Sequence, residues 1–246
     1  MKKFLLILVI VLVVVIGALI ALPIIFKDDI RSAIDSEISK NIEANVYFDE
    51  DKIGVSIIKN FPNITLTLED FGIAGVGVFE NDTLVAIDAF NLTFDLKSLI
   101  SGEQIKINSI NLVNPRIVVL VNEDGEANYN IMIEKEVEAT TEQVEVDSGM
   151  EISIDEWNIE NGKVVYYDYA SNLLIALDGL NHSGSGDFSL EVFDISTTTS
   201  IDRMMASYNE IEYLKNKELK ADLVLHVDMV KNQYSFGQNT ISINDF

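Results

Sequence analysis

After residue 46 the chain alternates apolar and polar residues over most of its length. The alternation is regular in residues 64–69, 91–96 and 223–227. Successive side chains of a strand point to opposite faces, so each run predicts a strand with one apolar and one polar face. Such strands are typical of antiparallel sheets, and the dipeptides Asn161-Gly162 and Asp178-Gly179 predict turns between them. The pattern therefore predicts a mainly β fold.

Helical periodicity is confined to two stretches. Isoleucines recur at every fourth position from Ile30 to Ile42, which predicts a short amphipathic helix over residues 28–45, and residues 200–221 have a partly helical pattern. So few helices cannot cover the apolar face of a long sheet. The sheet is therefore expected either to close on itself or to curl into a trough whose apolar lining binds a ligand.

The N-terminal segment is uniformly apolar. Residues 4–26 form an uncharged run of 23 residues. A helix of that length, rising about 1.5 Å per residue, spans a hydrocarbon core roughly 30 Å thick, whereas the apolar core of a cleaved signal peptide has only about 7–15 residues. Lys2 and Lys3 favour a cytoplasmic N-terminus. We therefore expect a single-pass transmembrane anchor with the body of the chain outside the cytoplasm.

These patterns divide the chain into five segments. They are a transmembrane signal-anchor (1–27), the amphipathic helix (28–45), a first β part (46–133), an acidic linker or loop (134–150) and a second β part (151–246). A strand-like run continues almost to the last residue, which predicts that the native chain extends beyond residue 246.

Composition excludes several functions. The formal charge of −23 repels polyanions, so nucleic acid is not expected as a partner. The absence of cysteine excludes disulfides and thiolate metal sites. His182 lies in a predicted turn, and His226 lies 44 positions away on the polar side of a predicted strand, so the two histidines form no metal-binding motif. No nucleophile, phosphate-binding or dinucleotide motif occurs. We expect neither catalysis nor a cofactor nor a metal.

Five segments, in order, resemble motifs of the AsmA family of Gram-negative bacteria. The N-terminal anchor and helix are similar to the opening of these proteins. The other matching segments are FPNITLTLED at 61–70, FDLKSLISGEQIKI at 94–107, LVNPRI at 112–117 with NEDGEANY at 122–129, and IENGKVVYYD at 159–168. Tyr129 stands where tryptophan is commoner in the family. The acidic, asparagine-rich style is similar to that of members from Bacteroidetes.

The resemblance implies a protein of the inner (plasma) membrane with a β-rich periplasmic body. The related TamB and chorein-type proteins are thought to form an elongated, curled antiparallel sheet whose hydrophobic groove conducts phospholipids towards the outer membrane. The implied partners are the phospholipid bilayer, its phospholipids and other envelope proteins. The family has no agreed catalytic residues, so the resemblance assigns none.

Ten residues on the apolar phase of predicted strands are candidates for the lining of this groove: Leu66, Leu68, Leu92, Phe94, Ile105, Ile107, Ile152, Ile154, Leu223 and Leu225. Period-two patterning cannot distinguish a groove from a closed core. A third function, an envelope hydrolase that uses a carboxylate pair, has no acid that the sequence singles out, and two non-catalytic functions stay open beside it. One is phospholipid transport and outer-membrane biogenesis through an apolar groove. The other is a non-catalytic envelope scaffold with a closed β core that supports outer-membrane protein assembly.

Overall fold

The computed structural model describes residues 31–32, 36, 38–56, 62–101, 106–133, 154–188 and 190–244. The predicted anchor (1–27) and acidic linker (134–150) lie outside these residues, as do the groove candidates Ile105 and Ile152. The described part contains no helix long and apolar enough to cross a membrane.

The described chain is mainly β, as predicted. The strands are β1 (Asn45–Tyr47), β2 (Gly54–Ser56), β3 (Asn63–Ala74), β4 (Thr83–Asp95), β5 (Ile107–Val113), β6 (Arg116–Val121), β7 (Ile154–Asp168), β8 (Leu173–Ser185), β9 (Val192–Tyr208), β10 (Ile211–Asp228), β11 (Gln233–Phe236) and β12 (Thr240–Ile243). Helix α1 (Leu96–Ser101) follows β4, and short 3₁₀ turns occupy Glu50–Lys52 and Gly77–Phe79.

All twelve strands belong to one sheet, so the two predicted β parts are continuous. β1 and β2 both pair with the outer edge of β3, and the order then runs through β4, the end-to-end pair β5 and β6, β7, β8, β9 and β10. β11 and β12 both pair with β10 at the opposite edge. In the described residues the two edges do not pair with each other, so these strands form an open sheet.

The prediction of a purely antiparallel sheet is wrong at one position. β5 and β6 run parallel to β7, whereas every other pairing is antiparallel. Parallel neighbours need a long crossover connection, and the chain supplies one in residues 122–153 between β6 and β7. The sequence pattern within each strand does not reveal the direction of its neighbour, so only this long connection signals the reversal.

Two predicted turns are irregularities inside strands. Asn161 has a φ of 52° within β7, and Gly179 has a φ of 68° within β8. Register shifts accompany both residues, so each marks a β-bulge. Asn114 (φ 49°) separates β5 from β6 at the level of Asn161. The bulges are thus aligned across the sheet, and each shifts the side-chain alternation by one residue.

The partly helical pattern predicted for residues 200–221 is also wrong. These residues belong to the hairpin of β9 and β10, two strands paired over almost their whole length. Asn209 and Glu210 both have positive φ (48° and 66°), as a two-residue type I′ turn requires. Pairing of β9 with β8 and of β10 with β12 further favours the extended conformation, so tertiary pairing overrides the local pattern.

The predicted amphipathic helix (28–45) is helical at residues 31–32, 36 and 38–41 but not at 42–45. It ends before residue 45, because the next residues pair with the segment that follows β6. Ile42 forms a bridge with Met132, and the Glu43 N–H donates to the Ile131 carbonyl at 2.7 Å. The chain therefore enters the sheet beside the turn that follows β6.

Candidate functional site

One face of the sheet is mainly apolar, most uniformly across β3, β4, β5 and β7. Residues paired across neighbouring strands point to the same side, so the register identifies its members. One transverse row contains Leu66, Leu92, Ile110, Trp157, Gly184, Thr197 and Leu223, and the next contains Leu68, Phe90, Leu112, Ile159, His182, Thr199 and Ala221. Beyond the bulges a third row contains Ile73, Val85, Ile117, Val164, Leu177 and Met204. These rows define the apolar face.

The aligned bulges keep this face continuous. In β7 the apolar face uses Trp157 and Ile159 before the bulge, and Gly162 and Val164 after it. Without the extra residue, strict alternation would place Lys163 rather than Val164 on the apolar face. The bulge therefore corrects the phase of the strand.

The opposite face is polar as far as the bulges and the first row past them, and its next row (Val118, Val165, Ala176 and Met205) is apolar. Across the first four long strands, the hydroxyls of Thr65 and Thr93 lie 3.0 Å apart, and Asn158 Nδ2 donates to Asn111 Oδ1 at 3.1 Å. Past the bulges, Lys163 and Arg203 both pair with Asp178. The Arg203 guanidinium holds the pKa of the Asp178 carboxyl below its usual value. The polar side chains of this face thus have hydrogen-bond partners on neighbouring strands, whereas few polar side chains lie on the apolar face.

Most of the apolar face is only half-buried. Buried apolar residues of the described chain are few, namely Leu68, Leu84, Ile87, Ile107, Pro115, Ala127, Ile201, Ala221 and Val227. Substantial contacts join strands that are neighbours in the sheet, α1 with β4, and the first 3₁₀ turn with β3. None of the described strands, α1 or the 3₁₀ turns therefore packs as a second layer on the apolar face. A face this large without a cover is typical of a binding surface.

Three hydrogen-bonded side chains, Trp157, His182 and Thr199, form a polar chain on the apolar face. The indole Nε1–H of Trp157 donates to Nε2 of His182 at 3.0 Å, and Nδ1 of His182 lies 2.8 Å from Oγ1 of Thr199. Because an indole N–H can only donate, Nε2 of the neutral imidazole accepts and Nδ1–H donates to Thr199. Burial lowers the pKa of His182, which favours this neutral form. Gly184 makes room for the ring, since a Cβ there would overlap it.

The sequence analysis did not predict this series of hydrogen-bonded side chains. His182 was assigned to a turn, whereas it lies inside β8 opposite Ile159. Trp157 and His182 are 25 positions apart, and only the register of β7 with β8 brings them together. No local pattern reveals the contact, although the small residue at Gly184 is a signal that a bulky neighbour lies across the strand. His226, by contrast, is exposed on a strand as predicted and pairs with Asp194.

The structure describes eight of the ten predicted groove residues. Leu66, Leu92 and Leu223 share one transverse row, and Leu68 belongs to the next. The other described candidates are paired as Phe94 with Ile107, Ile107 with Ile154, and Leu225 with Ile195. Their role as groove lining stays a prediction.

A cavity of about 690 Å³ lies across β5, β7, β8, β9 and β10. Most of its lining side chains belong to the polar face, among them Ser109, Asn111, Asn158, Ser183 and Thr198. Leu223 is the predicted groove residue that contributes to it. In the described part of the chain, no three side chains of the types His, Cys, Asp or Glu are arranged to hold a metal ion.

Residues of the sequence motifs have structural positions in the sheet. Asn114 and Asn161 occupy the aligned bulges, where the side-chain Nδ2 of Asn161 donates to Asn114 Oδ1 at 2.8 Å. The side chain of Asn128, which is only 2 % exposed, forms hydrogen bonds with backbone groups of β6 on the side where β4 no longer pairs with it. The motifs thus specify bulges and strand edges.

Comparison with known proteins agrees with the resemblance found in the sequence. The AsmA family model matches residues 1–242. No curated protein matches the chain. Since the family match covers nearly the whole chain, this protein belongs to the AsmA family.

Proposed function

We propose that this AsmA-family chain is an inner-membrane-anchored periplasmic protein that assists phospholipid transport between the inner and outer membranes. In this proposal the acyl chains travel along the apolar face, the sheet curls into a groove around them, and no catalysis is involved. Family membership supports an envelope-associated function. The anchor follows from the uncharged run of residues 4–26 and the lysines before it.

The observation that supports lipid transport best is the apolar face, which none of the described strands covers. Exposing an acyl chain to water costs about 0.8 kcal/mol per CH₂, so a typical tail costs on the order of 10 kcal/mol. Contact with a continuous apolar surface removes much of this cost without an energy source. With 15 residues in β7 and about 3.3 Å per residue, the face is roughly 50 Å long, which exceeds the length of one tail.

The alternative is an envelope scaffold with a closed core. Such a scaffold would hide its apolar residues, whereas the described strands form an open sheet with a half-buried apolar face. This difference favours lipid transport over the closed scaffold.

Lipid extraction from paired variants tests the proposal. A chain lacking residues 1–27 is purified without detergent from a Gram-negative periplasm, and its bound phospholipid is measured by mass spectrometry. We expect bound phospholipid, and we expect Leu92→Asp combined with Ile110→Asp to remove most of it. The matched control is Asn91→Asp with Asn111→Asp, which adds the same charges one residue away on the polar face.

The control separates lipid contact from a general effect of charge. We expect the control variant to retain its lipid, because Asn91 and Asn111 point away from the apolar face. A folded, lipid-free wild-type chain would contradict the proposal and favour the scaffold. Equal lipid in all three proteins would show that the lipid binds elsewhere.

A further inference from the structure

Tyrosines are concentrated at one end of the sheet. This tyrosine end is formed by the turns that follow β3, β6, β7 and β9, namely residues 75–82, 122–133, 169–172 and 209–210. Of the eight tyrosines, seven lie in or beside these turns: Tyr47, Tyr129, Tyr166, Tyr167, Tyr169, Tyr208 and Tyr213. The eighth, Tyr234, is on the edge strand β11, where it pairs with Val227 far from this end.

Many of these side chains are exposed. Tyr129 and Tyr169 are each 50 % exposed, Tyr213 is 65 % exposed, and Val78 beside them is 71 % exposed. The opposite end also exposes apolar side chains, such as Leu190 and Val230, but it lacks this group of tyrosines. Tyrosine has an apolar ring and a polar hydroxyl, and it is enriched where hydrocarbon meets water at a membrane surface. The difference between the two ends is therefore one of membrane-interface chemistry rather than of hydrophobicity.

The N-terminal part of the chain joins the sheet at the same end. The Ile133 N–H donates to the Asn41 carbonyl at 3.1 Å, and Glu43 pairs back to Ile131. Only 15 residues, 27–41, separate the apolar N-terminal run from this junction. As a helix, these residues would span about 22 Å. The opposite end of the sheet lies roughly 50 Å farther away, given the 15 residues of β7.

We propose that the tyrosine end rests on the surface of the bilayer, so that the apolar face opens onto the lipid there. This inference rests on the proposed function through its membrane anchor. It adds the end of the sheet at which phospholipid enters or leaves.

The charge of the tyrosine end specifies the lipid chemistry. Its turns expose Glu80, Glu123, Asp124, Glu126 and Glu210. Anionic headgroups would repel these carboxylates, whereas zwitterionic headgroups would not. The partner is therefore a zwitterionic phospholipid surface, such as phosphatidylethanolamine or phosphatidylcholine.

Site-specific fluorescence quenching tests this orientation. The chain has no cysteine, so each introduced cysteine is a unique labelling site. The full chain is reconstituted into phosphatidylcholine vesicles that contain a headgroup-nitroxide lipid. An environment-sensitive fluorophore is attached at Val78→Cys or Tyr169→Cys, and in matched controls at Leu190→Cys or Val230→Cys, all at exposed positions.

We expect at least twofold stronger quenching at Val78→Cys and Tyr169→Cys than at Leu190→Cys and Val230→Cys. We also expect weaker quenching at Tyr169→Cys when half of the vesicle lipid is phosphatidylglycerol. Equal quenching at both ends, or stronger quenching at Leu190→Cys and Val230→Cys, would overturn the proposed orientation. If quenching at Tyr169→Cys does not change when half of the lipid is phosphatidylglycerol, the assigned headgroup chemistry is wrong.

The same vesicles separate this inference from the proposed function. Transfer of a fluorescent phospholipid to acceptor vesicles is recorded for each labelled protein. Transfer with equal quenching at both ends would refute the orientation and leave lipid transport intact. End-specific quenching without transfer would confirm the orientation and contradict lipid transport.

Discussion

Asn128 completes the edge of β6, and its replacement gives a quantitative test of the fold. β6 pairs with β4 only through Ile117 and Arg116, so its later residues need another partner on that side. Asn128 supplies it, because the Leu120 N–H donates to Oδ1 at 2.9 Å and Nδ2 donates to the Val118 carbonyl at 2.8 Å. Asn128→Ala leaves this N–H and this carbonyl without partners.

The expected loss follows from these two backbone groups. A buried donor or acceptor without a partner costs about 1–3 kcal/mol. Val118 and Leu120 are only half-buried, so water partly replaces the amide and the lower part of the range applies to each. We therefore expect Asn128→Ala to lower the free energy of unfolding by about 2–3 kcal/mol.

Urea unfolding of the full chain in detergent micelles measures this loss. Trp157 is the only tryptophan, so its fluorescence reports on the centre of the sheet. With a slope of about 1–3 kcal/mol per molar urea, the midpoint should fall by about 0.7–3 M. Asn130→Ala is the matched control, since Asn130 is exposed and we expect a change within about 0.5 kcal/mol. Equal midpoints for the two variants would refute the role of Asn128.

Three further predictions concern the polar chain and the bulges. The pKa of His182 is lowered in the folded protein, so below the unfolded value of about 6.5 the unfolded state binds more protons. The free energy of unfolding should therefore fall as the pH drops from 7.5 to 5.5. The variant His182→Gln, which retains an acceptor but cannot titrate, should lose less of its free energy of unfolding over this range. Equal losses in the two proteins would contradict the neutral form of His182 in the folded protein. Gly184→Val should displace the Trp157 ring and shift its emission, whereas an unchanged spectrum would show that the ring does not lie across residue 184. Asn161→Val should lower the free energy of unfolding by about 1–3 kcal/mol because a β-branched residue is strained at positive φ, whereas Asn161→Gly should cost less; the opposite order in thermal unfolding would argue against the bulge.

Strand identity was predictable because period-two alternation depends on local sequence alone. Leu66 and Leu92 were assigned to the apolar phase of two strands, and the structure pairs them directly. The family could also be recognised, since its motifs are short and ordered along the chain. These motifs did not reveal their own role, because the position of Asn128 against β6 depends on how the chain folds back after Val121.

The bulges and the parallel pairing could not be predicted for a physical reason. Asn-Gly adopts positive φ equally well in a hairpin turn and in a bulge, so the dipeptide at 161–162 does not distinguish them. The choice depends on whether the strand continues to pair beyond it, and Val164 does so with both Ile117 and Leu177. Such non-local pairing also places His182 against Trp157.

Photocrosslinking at alternate residues tests the central claim most directly. A benzophenone amino acid is placed in the full chain, reconstituted into phospholipid vesicles, at Leu92 or Ile110 on the apolar face, and at Asn91 or Asn111 on the polar face. After illumination, mass spectrometry detects phospholipid attached to the protein. We expect phospholipid adducts at Leu92 and Ile110 but none at Asn91 and Asn111. Adducts at all four positions, or at none, would contradict transport of lipid along the apolar face.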